Sequence, residues 1–151
     1  MTTHVNSIEE LSAIVGTHLG YSDYRTVTQE QVNLFADATG DHQWIHVDPE
    51  RAAAGPFGHT IAHGYLTLSL IPVLVGGLLK VDGVTMGVNY GSNRIRFTAP
   101  VPVGSEVRAG ATLAAVEEIA GGVQVTTDVV VEVKGAEKPS CVAQTISRFY
   151  R

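Results

Sequence analysis

The residues best suited to chemistry lie in one window, because four of the six histidines fall between positions 42 and 63. Asp41 and His46 are five residues apart in a stretch bounded by Gly40 and Pro49, so their side chains can face each other across a loop. An imidazole titrates near neutral pH, and an aspartate beside it can help to hold a water molecule. The window therefore predicts acid–base chemistry.

The next glycine-rich segment, Gly58 to Gly64, leads into a long apolar run and predicts the start of a helix. A helix N-terminus offers unpaired N–H groups and a partial positive charge. Gly64 would let a ligand approach this backbone without a side chain in the way. A carbonyl oxygen bound there would be polarised as in an oxyanion hole, which suits proton transfer or water addition next to a carbonyl.

Helices occupy the first half of the predicted fold. Ser7 and Thr28 each begin a capping-box pattern, Gly40 is typical of a helix end, and proline at position 49 favours a helix start. The longest apolar run is shorter than a membrane span and is interrupted by polar residues, so it predicts a buried helix. The four predicted helices cover 8–15, 29–39, 49–54 and 63–79, with a loop at 41–47 between the second and the third.

Strands occupy the second half. Alternation of apolar and polar residues, rich in Val, Thr and Ile, predicts long antiparallel strands joined by Gly- and Pro-containing turns. The four predicted strands cover 84–97, 106–118, 123–133 and 141–149. Helices followed by strands indicate an α+β fold, with the long helix packed against a curved antiparallel sheet. The length of 151 residues favours a single domain over 1–151.

Composition excludes several function classes. The net charge of −5 and the scattered Lys and Arg residues argue against a nucleic-acid partner. Nothing predicts membrane insertion or a signal peptide, and the single cysteine, Cys141, fits a reducing cytoplasm and a buried position in a strand. The pairs His42/His46 and His59/His63 have zinc-like spacing, but nearby glycines and the lack of an accompanying cysteine favour no metal.

Three segments carry a family resemblance. Phe35-Ala36-x-x-x-Gly40-Asp41-x-x-x-Ile45-His46-x-Asp48 is followed by Ile61-Ala62-His63-Gly64-Tyr65-Leu66, and later by Asn93-x-x-Arg96-Phe97-x-x-Pro100-Val101-x-x-Gly104. Together they resemble the MaoC-like (R)-specific enoyl-CoA hydratases of the hot-dog fold. The resemblance extends from about Tyr24 to Phe149.

The resemblance implies a five-stranded antiparallel sheet wrapped round a helix at 61–79, in a homodimer. It implies reversible syn addition of water to a trans-2-enoyl-CoA, giving a (3R)-3-hydroxyacyl-CoA. Asp41 and His46 would activate the water, and the N–H of Gly64 would bind the thioester oxygen. No metal or redox cofactor is expected, because the thioester itself makes the β-carbon electrophilic.

Further site residues are expected around this centre. The family pattern Asp-x-Asn-Pro-x-His is replaced here by one with Gln43 and Trp44, and the Gln43 amide could still bind water or substrate. Arg94 and Arg96 alternate onto one strand face, where they either reach the phosphates of coenzyme A or are simply solvated.

Three other functions stay open at this point. Two are enzymes of the same fold, an acyl-CoA thioesterase and a component of an acyl-carrier-protein dehydratase. The third is a non-catalytic module that binds acyl-CoA. The Asp41–His46 pair disfavours the module, because a protein that only binds has no use for an activated water.

Overall fold

A computed structural model describes all 151 residues. Its helices are a 3-10 helix (Ile8–Ile14), α1 (Gln29–Thr39), α2 (Trp44–Val47), α3 (Pro49–Ala53) and α4 (Gly64–Val75). Its strands are β1 (Thr3–Val5), β2 (His18–Tyr21), β3 (Arg25–Thr26), β4 (Leu79–Val81), β5 (Met86–Arg96), β6 (Glu106–Ile119), β7 (Gly122–Val133) and β8 (Cys141–Tyr150).

The main sheet is antiparallel and has the strand order β2-β6-β7-β8-β5. Strand β3 also pairs with β6, at Arg25 and Thr26, so six strands fill five positions of the sheet. The four long strands predicted from alternation are all present, within a few residues of their predicted bounds. The five-stranded hot-dog sheet is thus confirmed, with its first position divided between two short strands.

Helix α4 lies against this sheet and forms its core. Leu66, Leu70, Ile71 and Leu74 are all buried in one cluster with small and branched side chains of the central strands. Burying one such side chain contributes about 2 kcal/mol. The opposite face is not enclosed as the prediction of a buried helix expected, since Tyr65 and Val73 are 70% and 56% exposed. The helix still cannot shift without opening the core on its sheet side, so the residues at its N-terminus have fixed positions.

Helix α4 is shorter than predicted. It ends at Val75, and Gly76 and Gly77 follow it, whereas the apolar pattern predicted a helix up to Leu79. The chain then forms β4, which pairs in parallel with β1 near the N-terminus. Glycine disfavours continued helix, and the apolar residues after it are used in this small second sheet.

The predicted loop at 41–47 contains a helix, which corrects that part of the prediction. One turn, α2, begins at Trp44, and the N–H of His46 donates to the carbonyl of Gln43 (3.0 Å). A single turn gives too few residues for a helical period to appear in the sequence. His46 therefore lies on a short helix.

Two of the remaining helices have side-chain caps, whereas the capping box predicted at Ser7 is not formed: Ser7 makes no capping hydrogen bond, and a 3-10 helix follows it. The Thr28 hydroxyl accepts from the Gln31 N–H (3.1 Å) at the start of α1, and Asp48 Oδ1 accepts from the Arg51 N–H (3.1 Å) at the start of α3. Cys141 is fully buried in β8, as predicted, and burial raises the pKa of its thiol. No helix is both long enough and apolar enough to span a bilayer.

Candidate active site

The end of α1 places Asp41. Gly40 has φ 85°, in the left-handed region, and its N–H closes the helix on the carbonyl of Ala36 (2.8 Å). The chain leaves the helix at Asp41, whose Oδ1 accepts from the N–H of Gln43 (3.3 Å). The carboxylate is 55% exposed, so one oxygen is held locally and the group still meets solvent.

The ring of His46 is buried and oriented by one strong hydrogen bond. Only 7% of the residue is exposed, and Nδ1 donates to the carbonyl of Ile61 at 2.7 Å. A second tie joins the same segments, because the N–H of Ile61 donates to the carbonyl of Ile45 (3.0 Å). With Nδ1 protonated, Nε2 carries the lone pair of the neutral ring and is the atom able to take a proton.

Gln29 supports this arrangement, and sequence reasoning missed it. Its Nε2 donates to the carbonyl of His46 (2.8 Å), and its Oε1 accepts from the Thr60 hydroxyl (2.7 Å). One amide thus ties the start of α1 to α2 and to the segment before α4. The two contacts span 17 and 31 residues, so no local pattern could have revealed them.

The surroundings of His46 favour its neutral form. Burial lowers the pKa of His46 below its usual value, and the adjacent His63 lowers it further. The hydrogen bond to Ile61 and the charge of Asp41 act in the opposite direction but do not reverse the shift. The ring is therefore kept as a base at neutral pH.

Asp41 and His46 are close enough to share a water molecule. One carboxylate oxygen of Asp41 and one ring nitrogen each of His46 and His63 lie within 4.8 Å of one another. Two groups that each bind one water at about 2.8 Å fit a separation of this size. The arrangement can hold a water between an acceptor carboxylate and an acceptor imidazole nitrogen.

Gly64 is the first residue of α4, and its N–H has no hydrogen-bonding partner within the chain. A side chain at this position would collide with the ring of Phe97, since a Cβ would lie 2.9 Å from its nearest atom. Glycine thus serves two purposes here: close packing of the helix start and access to a free N–H. This N–H is available for the predicted oxyanion contact, which stays a prediction.

A cavity of about 330 Å³ lies beside these groups and is lined by His46, Gly64, Phe57, Phe97, Thr67 and Ser140, among others. Ser140 is only 2% exposed and its hydroxyl has no partner, and Thr67 is likewise buried. Sequence reasoning missed Ser140, which lies on a turn with no motif around it. The cavity can accept a small acyl group and offers it two hydroxyls.

A second cavity, of about 360 Å³, lies between α4 and the sheet and does not include Asp41, His46 or Gly64. Its walls are largely apolar, with Leu68, Ile71 and Val75 on the helix side and strands β5 to β8 on the other. His46 and Gly64 line the first cavity, and the Asp41 carboxylate lies within 4.8 Å of His46, so the chemistry is assigned there.

The two residues that depart from the family pattern, Gln43 and Trp44, do not line the cavity that contains His46 and Gly64. The Gln43 side chain is exposed and makes no hydrogen bond within the chain, so its predicted substrate contact stays a prediction. The Trp44 ring packs against Gly55, and the Arg51 guanidinium lies 4.5 Å from the centre of its ring. Trp44 therefore supports the turn after α3.

Neither zinc-like histidine pair forms a site. His42 bonds to Asp37 (2.9 Å), which raises the pKa of His42, and His59 contacts the carbonyl of Thr60 (3.2 Å). The group that does converge is Asp41, His46 and His63, but Nδ1 of His46 and Nε2 of His63 are already hydrogen-bonded to carbonyl oxygens. The other nitrogen of each ring, Nε2 of His46 and Nδ1 of His63, has no hydrogen-bonding partner within the chain, and the expectation of no metal stays a prediction.

Arg94 and Arg96 lie on the exposed strand β5, three residues and one residue before Phe97. Because Phe97 packs against Gly64, the end of this strand lies next to the start of α4. Arg96 donates to the carbonyl of Ile95 (2.7 Å), and Arg94 has no partner side chain. The structure brings this strand end to the site, and a role in binding phosphates stays a prediction.

Comparison with known proteins gives consistent results. The family model described as "MaoC like domain" matches residues 10–135. A 3-hydroxyacyl-thioester dehydratase Z from Mycobacterium tuberculosis is 59% identical over 144 residues, which cover 95% of each chain. Nodulation protein N from Rhizobium meliloti is 45% identical over 147 residues, covering 95% of this chain and 91% of that protein.

A solved structure shows the same fold. The (R)-hydratase from A. caviae involved in PHA biosynthesis superposes with a TM-score of 0.69 at 27% identity, covering 88% of this chain and 94% of that one. The similarity therefore extends over nearly the whole chain, and it includes the strands and helices that place the candidate site.

Proposed function

Because this chain belongs to the MaoC-like domain family of hydratases and dehydratases, we propose that it catalyses the reversible hydration of trans-2-enoyl-CoA to (3R)-3-hydroxyacyl-CoA. One observation carries the proposal: the Asp41 carboxylate and the His46 ring lie within 4.8 Å of each other. The free N–H of Gly64 opens on the same cavity as His46.

The site suggests how water would be added. Asp41 accepts one O–H of the bound water, and Nε2 of His46 removes the other proton as the oxygen bonds to the β-carbon. The electrons of the C=C bond move to the thioester oxygen, which becomes an enolate. His46 then returns its proton to the α-carbon, so that H and OH both reach the substrate from one face and the base is regenerated.

Gly64 would stabilise the charge that develops in this reaction. The enolate oxygen accepts from the Gly64 N–H at the positive end of α4, a helix of 12 residues. A donor fixed before the reaction needs no reorganisation as charge appears. The contact therefore favours the transition state over the neutral thioester.

The direct test uses crotonyl-CoA after dialysis of the protein against EDTA. We expect loss of the enoyl absorbance, formation of 3-hydroxybutyryl-CoA of R configuration and no release of thiol. Thiol release without hydration would identify a thioesterase, and binding without turnover would identify a non-catalytic module. A rate seen only with the acyl-carrier-protein thioester would identify a dehydratase component and overturn the coenzyme A assignment.

The same experiment tests the need for a cofactor. We propose that no metal or redox group takes part, since the thioester alone makes the β-carbon electrophilic. Activity should be unchanged by EDTA. Activity lost on dialysis and restored by a divalent metal would contradict this.

We also propose that the protein is a homodimer joined through β5. This strand is at the edge of the sheet and pairs only with β8. Large apolar side chains on it are exposed, with Met86 at 53% and Tyr90 at 56%. An exposed, apolar edge strand invites pairing with another chain.

A further inference from the structure

His63 is a buried histidine that the proposed mechanism does not use. It is only 3% exposed, directly precedes Gly64, and packs against Phe35 with ring centres 4.9 Å apart. Its ring contacts both members of the acid–base pair. The contacts of this enclosed ring with Asp41 and His46 indicate its role.

The first contact fixes Asp41. Nε2 of His63 donates to the backbone carbonyl of Asp41 at 2.9 Å, and the same nitrogen lies 4.0 Å from the Asp41 carboxylate. Asp41 lies in the loop that follows Gly40, and its side chain is more than half exposed. The bond from His63 therefore holds the backbone of the catalytic carboxylate to the start of α4.

The second contact is with His46. The two rings are stacked, with centres 3.9 Å apart and an angle of 23° between their planes. Two imidazolium ions at this distance repel each other strongly. Nδ1 of His63 has no partner, so a proton added there would be a buried and unsatisfied donor.

We infer that His63 is a positioning residue for the acid–base pair: it anchors the Asp41 backbone through Nε2 and, as an imidazole stacked on His46, opposes charge on that base. The inference rests on the proposed function, because it assigns His63 a part in the same site. It treats His63 as acting through its two neighbours, without direct contact with substrate.

Two substitutions test the two contacts. His63→Gln keeps an amide donor near the position of Nε2 but removes the stacked imidazole. His63→Phe keeps a buried ring but removes both the Nε2 donor and the imidazole. His59→Gln is the matched control, since His59 is exposed and lies four residues earlier in the same segment.

The kcat of the variants measures the effect of the hydrogen bond from His63 to the backbone of Asp41. We expect kcat for crotonyl-CoA to fall about a hundredfold in His63→Phe, since small misplacement of a catalytic group has an effect of this order. The rate should stay within about tenfold of the parent in His63→Gln, because the donor that limits this misplacement is kept. Equal losses of kcat in both variants would show that the Nε2 donor of His63 has no special role, and would contradict its assignment as the group that positions Asp41.

The pKa of His46 measures the effect of the imidazole of His63 that is stacked on it. The titratable groups acting on His46 are His63 and Asp41, and His63 contributes to lowering the pKa of His46. Both variants should therefore raise the pKa of His46 and shift the acid limb of kcat/KM to higher pH, with burial preserved best in His63→Phe. An unmoved limb in His63→Phe would show that the His63 imidazole does not act on His46 and would overturn this part of the inference.

Imidazole ¹⁵N NMR on the free protein keeps the two proposals distinguishable. It measures the protonation of His46 without substrate, in the parent and in each variant. An upward shift in a protein that does not hydrate crotonyl-CoA would refute the proposed function and leave the contact intact. Normal hydration without any shift would refute the role of the His63 ring alone.

Discussion

At the level of single residues, the proposed chemistry requires a neutral His46 when water attacks. Burial lowers the pKa of His46 from the usual 6.5, so the neutral form persists to a lower pH than in an exposed histidine. We expect the acid limb of kcat/KM, on which His46 takes up a proton, to be centred below pH 6.5. Rates for crotonyl-CoA across pH, with circular dichroism as the control for folding, measure this. An acid limb centred above 6.5 would contradict it.

Gly64 provides a second prediction for a single residue. In Gly64→Ala the new Cβ would lie 2.9 Å from the Phe97 ring, so either the ring or the start of α4 must move. We expect kcat/KM to fall about tenfold or more, because the oxyanion donor is displaced. Gly77→Ala is the control, since its Cβ meets nothing within 4 Å.

A double variant distinguishes two effects of Gly64→Ala: the steric clash of the new Cβ with Phe97, and the loss of the N–H of residue 64 as a hydrogen-bond donor. Adding Phe97→Leu to Gly64→Ala makes room for the Cβ and should recover part of the activity. Full activity in Gly64→Ala alone would show that this backbone does not bind the reacting thioester. Phe97→Leu alone gives the reference rate.

Several residues of the site could be predicted from sequence, and others could not. Asp41, His46 and Gly64 lie on short local motifs, so their placement follows from the spacing and from the start of an apolar helix. His63 lies in the same segment as Gly64, but nothing in its local sequence indicates that it is buried against both Asp41 and His46. Its bond to Asp41 spans 22 residues, a separation that no local pattern encodes.

At the level of elements, the exit from α1 decides where Asp41 points. Gly40 has φ 85°, a conformation that costs most residues with a Cβ about 1–2 kcal/mol. Gly40→Ala should lower the free energy of unfolding by about that amount, whereas Gly40→Asn should lower it less, because Asn tolerates this region. Urea denaturation of the two variants tests the comparison. Equal losses of unfolding free energy in the two variants would show that the positive φ of residue 40 does not determine the destabilisation.

Element boundaries show what local sequence can and cannot specify. The caps at Thr28 and Asp48 are side-chain to backbone bonds within four residues, so both helix starts were predictable. Strands β1 and β4 are three residues each and pair across more than 70 residues, so neither was predicted. Likewise, α2 is held by the hydrogen bond from Gln29 to the carbonyl of His46, 17 residues away. Its single turn is too short to show a helical period in the sequence.

At the level of the whole molecule, the edge strand β5 predicts the oligomeric state. Val88→Lys would place a charge on this edge, while Val130→Lys makes the same change on the interior strand β7. The two valines are almost equally exposed, at 38% and 37%. In light scattering, the parent and Val130→Lys should have twice the 16.0 kDa mass of one chain. Val88→Lys should shift toward the monomer.

A monomeric parent, or a Val88→Lys dimer as stable as that of the parent, would contradict the β5 interface. The strand also carries Arg94 and ends beside Phe97 and Gly64. A change in the interface should therefore also change the Michaelis constant for crotonyl-CoA. Measuring both properties on one sample links assembly to the site.

The most direct measurement is the rate of crotonyl-CoA hydration in Asp41→Asn and in His46→Asn. Both replacements keep the local hydrogen bonds, since the amide oxygen introduced at position 41 can still accept from Gln43 and the amide nitrogen introduced at position 46 replaces Nδ1. The exposed His59→Asn serves as the control. Each site variant should lose about a hundredfold or more in kcat, while the control keeps the parent rate and all three stay folded. Full activity in either Asp41→Asn or His46→Asn would contradict the assignment of this pair as the catalytic centre.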